Sequence, residues 1–212
     1  FVIAYFFGAN GLGDYVLAIV VLKIFTLISK LGLDTASIKY IASYCAEKSY
    51  NGIISFRKKA LTLILCTSII CSILMYFGAN VIAEFIGANS EHIRITSFFI
   101  FPMSIFIFHY QNMRGLKEIG GYSFFFWMSQ ALFTLLAILV LTIFSKDENV
   151  PIYAYLIGLV VISLLSFFTF SYFLKNKKRS NQILIDNKLG DSISSILKVS
   201  IPLMLAQAVH FI

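Results

Sequence analysis

Hydrophobic positions fall in long, almost unbroken runs separated by short polar stretches. Runs of that length without a period of two predict helices rather than strands. A first run, Phe1 to Phe7, reads as the tail of a span, followed by a turn over Gly8 to Asp14, whose Gly and Asn residues tolerate positive φ. The second helix is predicted over Tyr15 to Cys45, continuous through the bilayer and onward into the interface. The third covers Ala60 to Ala83, the fourth Ile95 to Met113 with Pro102 inside, the fifth Tyr122 to Phe144 and the sixth Ile152 to Leu174. A polar, basic stretch from Lys175 to Ser195 precedes a seventh helix near Ile196. A hydrocarbon core of about 30 Å takes roughly 20 helical residues, so the expected class is all-α and integral to a membrane.

The loops alternate in charge. Lys39, Lys48, Arg57, Lys58, Lys59, Arg114, Lys117, Lys175, Lys177, Lys178, Arg179, Lys188 and Lys198 follow the second, fourth and sixth helices. The opposite side holds only Arg94 and Lys146, with Asp14, Glu84, Glu91, Asp147 and Glu148. Basic residues mark cytoplasmic loops, so the first span starts from the cytoplasm. The net charge of +7 is thereby a topology signal, and nucleic acid is not an expected partner. Charged residues make up 13% of the chain and apolar ones 59%, with mean hydropathy +0.87; soluble domains carry about 25% charged residues.

Lys23 breaks this pattern. It lies nine residues beyond Asp14, about 13 Å deep at 1.5 Å per residue, and its stem of about 6 Å cannot snorkel to the headgroups. Insertion of a central lysine costs about 2.5–3.5 kcal/mol, and such residues face a bundle interior or a wet cavity. On a continuous helix, Lys30 and Asp34 fall within a stripe about 40° wide centred on Lys23, and Lys30 and Asp34 are i,i+4 neighbours able to pair. Two lysines against one aspartate leave the stripe cationic, suited to a phosphate or pyrophosphate. The competing reading pairs both lysines with acids on other helices.

Other polar residues are candidates of a second rank. His109, Gln111 and Arg114 lie at the polar end of the fourth helix, either as lumen or coupling groups or as a helix end at the cytoplasmic interface. Gln130 in the fifth helix and Gln207 in the seventh suit interhelical hydrogen bonds or a lumen contact. Pro102 and Pro202 are expected kink sites. Cys45, Cys66 and Cys71 form no CxxC pair and read as small buried hydrophobes, with neither a disulfide framework nor a metal site. No phosphate-binding Gly-rich loop, HExxH or accessible pair of acids is present, so the chain is not expected to be an enzyme, and no cofactor is expected.

Several stretches resemble the N-terminal half of bacterial polysaccharide (O-antigen) flippases, in the multidrug, oligosaccharidyl-lipid and polysaccharide exporter superfamily. The matching residues are Gly11-Leu12-Gly13-Asp14-Tyr15 in the outer turn, Leu31-Gly32-Leu33-Asp34-Thr35-Ala36-Ser37-Ile38-Lys39-Tyr40-Ile41-Ala42, and Arg114-Gly115 before the fifth helix. The second stretch fits the pattern GLxxAxx(R/K)Y. The resemblance implies a fold of twelve to fourteen helices in two lobes around a cavity. It further implies flipping of an undecaprenyl-pyrophosphate-linked oligosaccharide across the bacterial inner membrane for O-antigen or other surface polysaccharide synthesis. Membrane lipids and the polymerase and chain-length regulator of the same pathway are the implied partners, with proton or sodium coupling. The resemblance also implies cationic lumen residues. Lys23 and Lys30 are the candidates because they are intramembrane and basic rather than part of a signature motif, with Asp34 beside Lys30 as a third lumen candidate that tunes it.

The expected organisation is a six-helix N-terminal lobe over residues 1–174 whose first span is incomplete, a cytoplasmic linker over 175–195, and the start of a second lobe over 196–212. Two other functions stay open: a cation-coupled multidrug antiporter, which would favour intramembrane carboxylates, and a membrane-embedded polymerase or glycosyltransferase.

Overall fold

A computed structural model describes residues 2–145, 147, 149–180, 183 and 190–211. Lys146, Glu148 and Lys188 of the charge pattern, and residues 181, 182 and 184–189 of the linker, lie outside the described residues. Within them the protein is helical throughout. The helices are α1 (Val2–Ser29), α2 (Leu33–Ala46), α3 (Tyr50–Ile86), α4 (Ser90–Ser97), α5 (Ile100–Gly115), α6 (Ile119–Ser123), a π-helical stretch (Phe124–Ser129), α7 (Gln130–Phe144), α8 (Val150–Arg179) and α9 (Ile193–Phe211). Four helical stretches are long and apolar enough to cross a membrane: Gly11–Ser29, Tyr50–Ile86, Ile119–Phe144 and Val150–Arg179. The bent pair Ser90–Ser97 and Ile100–Gly115 makes a fifth if it is one span. The protein is therefore an all-α, multi-pass membrane protein.

The first two elements depart from expectation. The turn over Gly8 to Asp14 contracts to a kink at Gly8 (φ 70°, ψ −175°), and α1 runs through the rest of it. The helix then stops at Ser29, where an uninterrupted one to Cys45 was expected. Leu31 (φ 49°) and Gly32 (φ 69°) both adopt the left-handed conformation, which ends one helix before α2 begins. Within a membrane, a broken helix must find new partners for its freed backbone groups. Here Thr67 Oγ1 of α3 donates to the Ser29 carbonyl at 2.5 Å, and the Leu33 amide donates to the Lys30 carbonyl at 2.8 Å. The hydroxyls of Ser29 and Ser104 meet at 2.6 Å, tying the break to α5.

α3 is longer than predicted because both ends are capped. Ser49 accepts from the Gly52 amide, and Gly87 closes the other end in the left-handed region. Its 37 residues span about 55 Å, so the helix projects well past the bilayer, and Arg57, Lys58 and Lys59 sit in its first turns. The fourth predicted helix breaks into α4 and α5 with a bend of 53°. Pro102 explains where: its ring would clash with the carbonyl four residues back, at Phe98, and the break falls at Phe98–Phe99. His92 of α4 meets Asn149, just before α8, at 2.5 Å.

The core forms where α5 and α8 pack together with α1, α2 and α3, around Phe56, Phe108, Phe170 and Met113. Gly158 lets α8 lie close on α7, since a Cβ there would come within 3.1 Å of the Thr134 amide; small residues serve this role between membrane helices. Ile69, Ile73 and Phe77 of α3 and Leu136, Leu139 and Ile143 of α7 are exposed, as lipid-facing side chains are. Cys71 is buried and Cys45 half-buried, but Cys66 is exposed, on the same face of α3 as Ile69 and Ile73. The expectation of buried thiols fails there because an apolar run has a lipid face as well as a core face.

Candidate functional site

A partly open cavity of about 1320 Å³ lies against α1, bounded by α5, the π-helical stretch, α7 and α9, with Tyr155 contributed by α8. α1 contributes Tyr15, Lys23 and Thr26 to the wall, the α1–α2 break contributes Lys30, and α2 contributes Asp34 and Thr35. Lys23 falls six residues before the helix end at Ser29, about 9 Å from it, and its side chain is exposed to the cavity. No described residue pairs with it. Lys30 behaves differently. It is buried in the wall and donates to Asp34 Oδ2 at 2.7 Å. The break in the helix leaves this pair intact, since four residues still separate the two groups across it.

The predicted candidates divide into two groups. Lys23, Lys30, Asp34, Gln111 and Gln130 all line the cavity; Gln130 donates to Thr134 Oγ1 at 3.2 Å. His109 and Arg114 do not. His109 points to the opposite side of α5 and is fully buried, with Arg57 Nη2 at 3.4 Å and the Phe170 ring stacked on it. The lumen reading of His109 is thus corrected: position near a helix end did not reveal which face it occupies. Arg114 is exposed, 5.4 Å over the Tyr122 ring, which is the interfacial alternative.

Gln207 joins the site from α9. Its Nε2 donates to Thr35 Oγ1 and, at 3.3 Å, to Asp34 Oδ2. Asp34 Oδ1, Gln111 Oε1 and Gln207 Oε1 are buried with no hydrogen-bond partner among the described residues.

Aromatic rings line the same cavity. Tyr15, Tyr110, Tyr155, Phe126 and Trp127 contribute to it. Phe126 stacks on Tyr122 at 5.4 Å and meets Trp127 edge-on at 4.8 Å. Sequence reading missed this wall. Trp127 is the chain's single tryptophan, which was a signal, but the π-helical turn re-aims the residues around it and no 3.6-residue period shows that. π-helical turns are rare and often accompany functional sites.

The lining combines one ammonium that no described residue pairs with, one ion pair and an amphipathic surround. A unit charge about 4 Å from Lys23 gains about 4 kcal/mol at an effective dielectric near 20. Asp34 is the only carboxylate in the described cavity wall, and Lys30 already neutralises it. Among the described residues no three metal-binding side chains cluster.

The fold and cavity define a multi-pass membrane protein with a partly open chamber lined by two lysines, one aspartate and several aromatic rings. The family model described as "Polysaccharide biosynthesis protein" matches residues 1–212. The chain belongs to that family. Comparison with curated proteins and with solved structures finds no match.

Proposed function

We propose that this protein carries a lipid-linked oligosaccharide across the bacterial inner membrane, for surface polysaccharide synthesis, by alternating access. The observation that carries the proposal is Lys23, an ammonium in the interior of a span with no partner among the described residues, facing a cavity of about 1320 Å³. A bare cation there costs insertion energy that packing does not return, and an anionic cargo recovers it. The lipid-linked pyrophosphate supplies the anion. The aromatic wall offers flat apolar faces to sugars, and the lipid tail stays with the surrounding bilayer. Membership of a polysaccharide biosynthesis family supports the same substrate class. The antiporter alternative is weaker because Asp34, the one carboxylate in the described cavity wall, is engaged with Lys30 at 2.7 Å.

The test is Lys23→Ala and Lys23→Arg in the full-length protein. Lys23→Ala abolishes surface polysaccharide while membrane insertion and protein level stay normal, and Lys23→Arg retains part of the export. Normal polysaccharide in cells carrying Lys23→Ala would overturn the proposal.

A further inference from the structure

The α1–α2 break lies directly beneath α9. Gly32 packs so tightly there that a Cβ would collide with the Ser200 carbonyl and lie 2.7 Å from the Met204 amide. Ser200 is itself fully buried by this contact. The foot of α9 is fastened too: the Asp191 carboxylate accepts from Tyr44 at 2.5 Å, and Lys59 donates to the Gly190 and Asp191 carbonyls. One carboxylate oxygen, Asp34 Oδ2, receives both Lys30 from the cavity and Gln207 from α9. That oxygen therefore joins the cation of the chamber to the helix that covers the break.

We propose that docking of α9 on α2 and occupancy of Lys30 by an anion oppose each other, so that docking acts as the release switch for the cargo. This rests on the function proposed above. With α9 docked, Gln207 holds the Asp34 carboxylate against Lys30, and the ammonium is unavailable. An anion that takes Lys30 leaves Asp34 buried with only neutral donors, a state that is strongly unfavourable. Separation of α9 from α2 relieves it by admitting water to the carboxylate. Linkage makes the effect reciprocal: whatever anion binding does to docking, docking does to anion affinity, by the same factor. The break lies toward the basic, cytoplasmic loops. Undocking there exposes Lys30 to cargo from the cytoplasm, and docking returns Lys30 to Asp34 and expels it.

The experiment uses the full-length protein in nanodiscs, with inorganic pyrophosphate as the probe. Gln207→Leu removes the latch donor and Asp34→Asn removes the competing charge. Both are expected to bind pyrophosphate about tenfold more tightly than the parent, a coupling of ordinary size. Gln207→Leu in a Lys30→Gln background is expected to show no gain. In a second measurement the native cysteines are replaced by Ala, and Ser200→Cys reports docking through its rate of maleimide labelling. Pyrophosphate accelerates labelling when Lys30 is present and has no effect in Lys30→Gln. A gain in affinity cannot come from a variant that fails to fold. If the parent binds pyrophosphate but Gln207→Leu and Asp34→Asn gain nothing, the switch is overturned and the transport function stands. If neither the parent nor Asp34→Asn binds it, the chamber is not an anion site and both proposals fall.

Discussion

Gly32 and Gly87 are a matched pair for measuring how tightly α9 sits on the lobe. Both are left-handed with φ 69°, so alanine at either position bears the same conformational cost, about 1–2 kcal/mol. Their surroundings differ. A Cβ at Gly87 meets nothing within 4 Å, whereas at Gly32 it meets Ser200 and Met204 backbone, with the Met204 amide at 2.7 Å. Backbone has no rotamer through which to yield, so α9 itself must move, and overpacking of this kind costs about 1–3 kcal/mol more. Gly32→Ala is therefore expected to destabilise by roughly 2–5 kcal/mol against about 1–2 for Gly87→Ala. The assay is the unfolding equilibrium of purified full-length protein in mixed detergent micelles, followed by helical circular dichroism, with the two variants side by side. The labelling rate of Ser200→Cys, read in the same backgrounds, should rise for Gly32→Ala and stay at the parent value for Gly87→Ala. Equal destabilisation by the two substitutions would refute the packing of α9 over the break, and the release switch with it.

Two further outcomes follow from packing elsewhere. Gly158→Leu drives a branched side chain into the Phe133–Thr134 backbone, which is already only 3.1–3.3 Å from where a Cβ would sit. It should cost more than about 3 kcal/mol and displace the α7 wall of the chamber; pyrophosphate affinity equal to the parent's would contradict that placement of α7. The Tyr44 phenol is pushed up to about 12, first by burial and then by its hydrogen bond to Asp191. Since its folded value exceeds the usual one near 10, its contribution to stability is complete below pH 10 and lost as pH rises toward about 12. Thermal unfolding midpoints measured at about pH 9 and pH 11 should thus fall more for the parent than for Tyr44→Phe; an equal fall would show that Tyr44 does not hold the foot of α9.

Much of the architecture was legible in order of residues alone. Lipid demands a continuous apolar surface about 20 residues long for each crossing, so most of the spans declared themselves. The membrane lysine was legible for the same reason: an ammonium stands out where every neighbour is apolar. Pro102 announced a kink through the clash its ring imposes. The ends of α3 and the π-helical turn were not legible, since caps and extra-wide turns shift boundaries without altering the apolar pattern.

Composition and periodicity settled the class and showed that a lysine lies inside an apolar span. The Lys30–Asp34 pair was legible from its i,i+4 spacing, but tertiary structure decided which face each of the other polar groups presents. Lys23 and Lys30 look alike along the chain, yet one stands open to the chamber and the other is held by Asp34. His109 and Gln111 lie two residues apart on α5 and face opposite sides of it. Gln207 meets Asp34 across 173 positions of chain. A helical run is compatible with any rotation about its axis until neighbouring helices dock, so the face each side chain presents is a property of the assembled lobe.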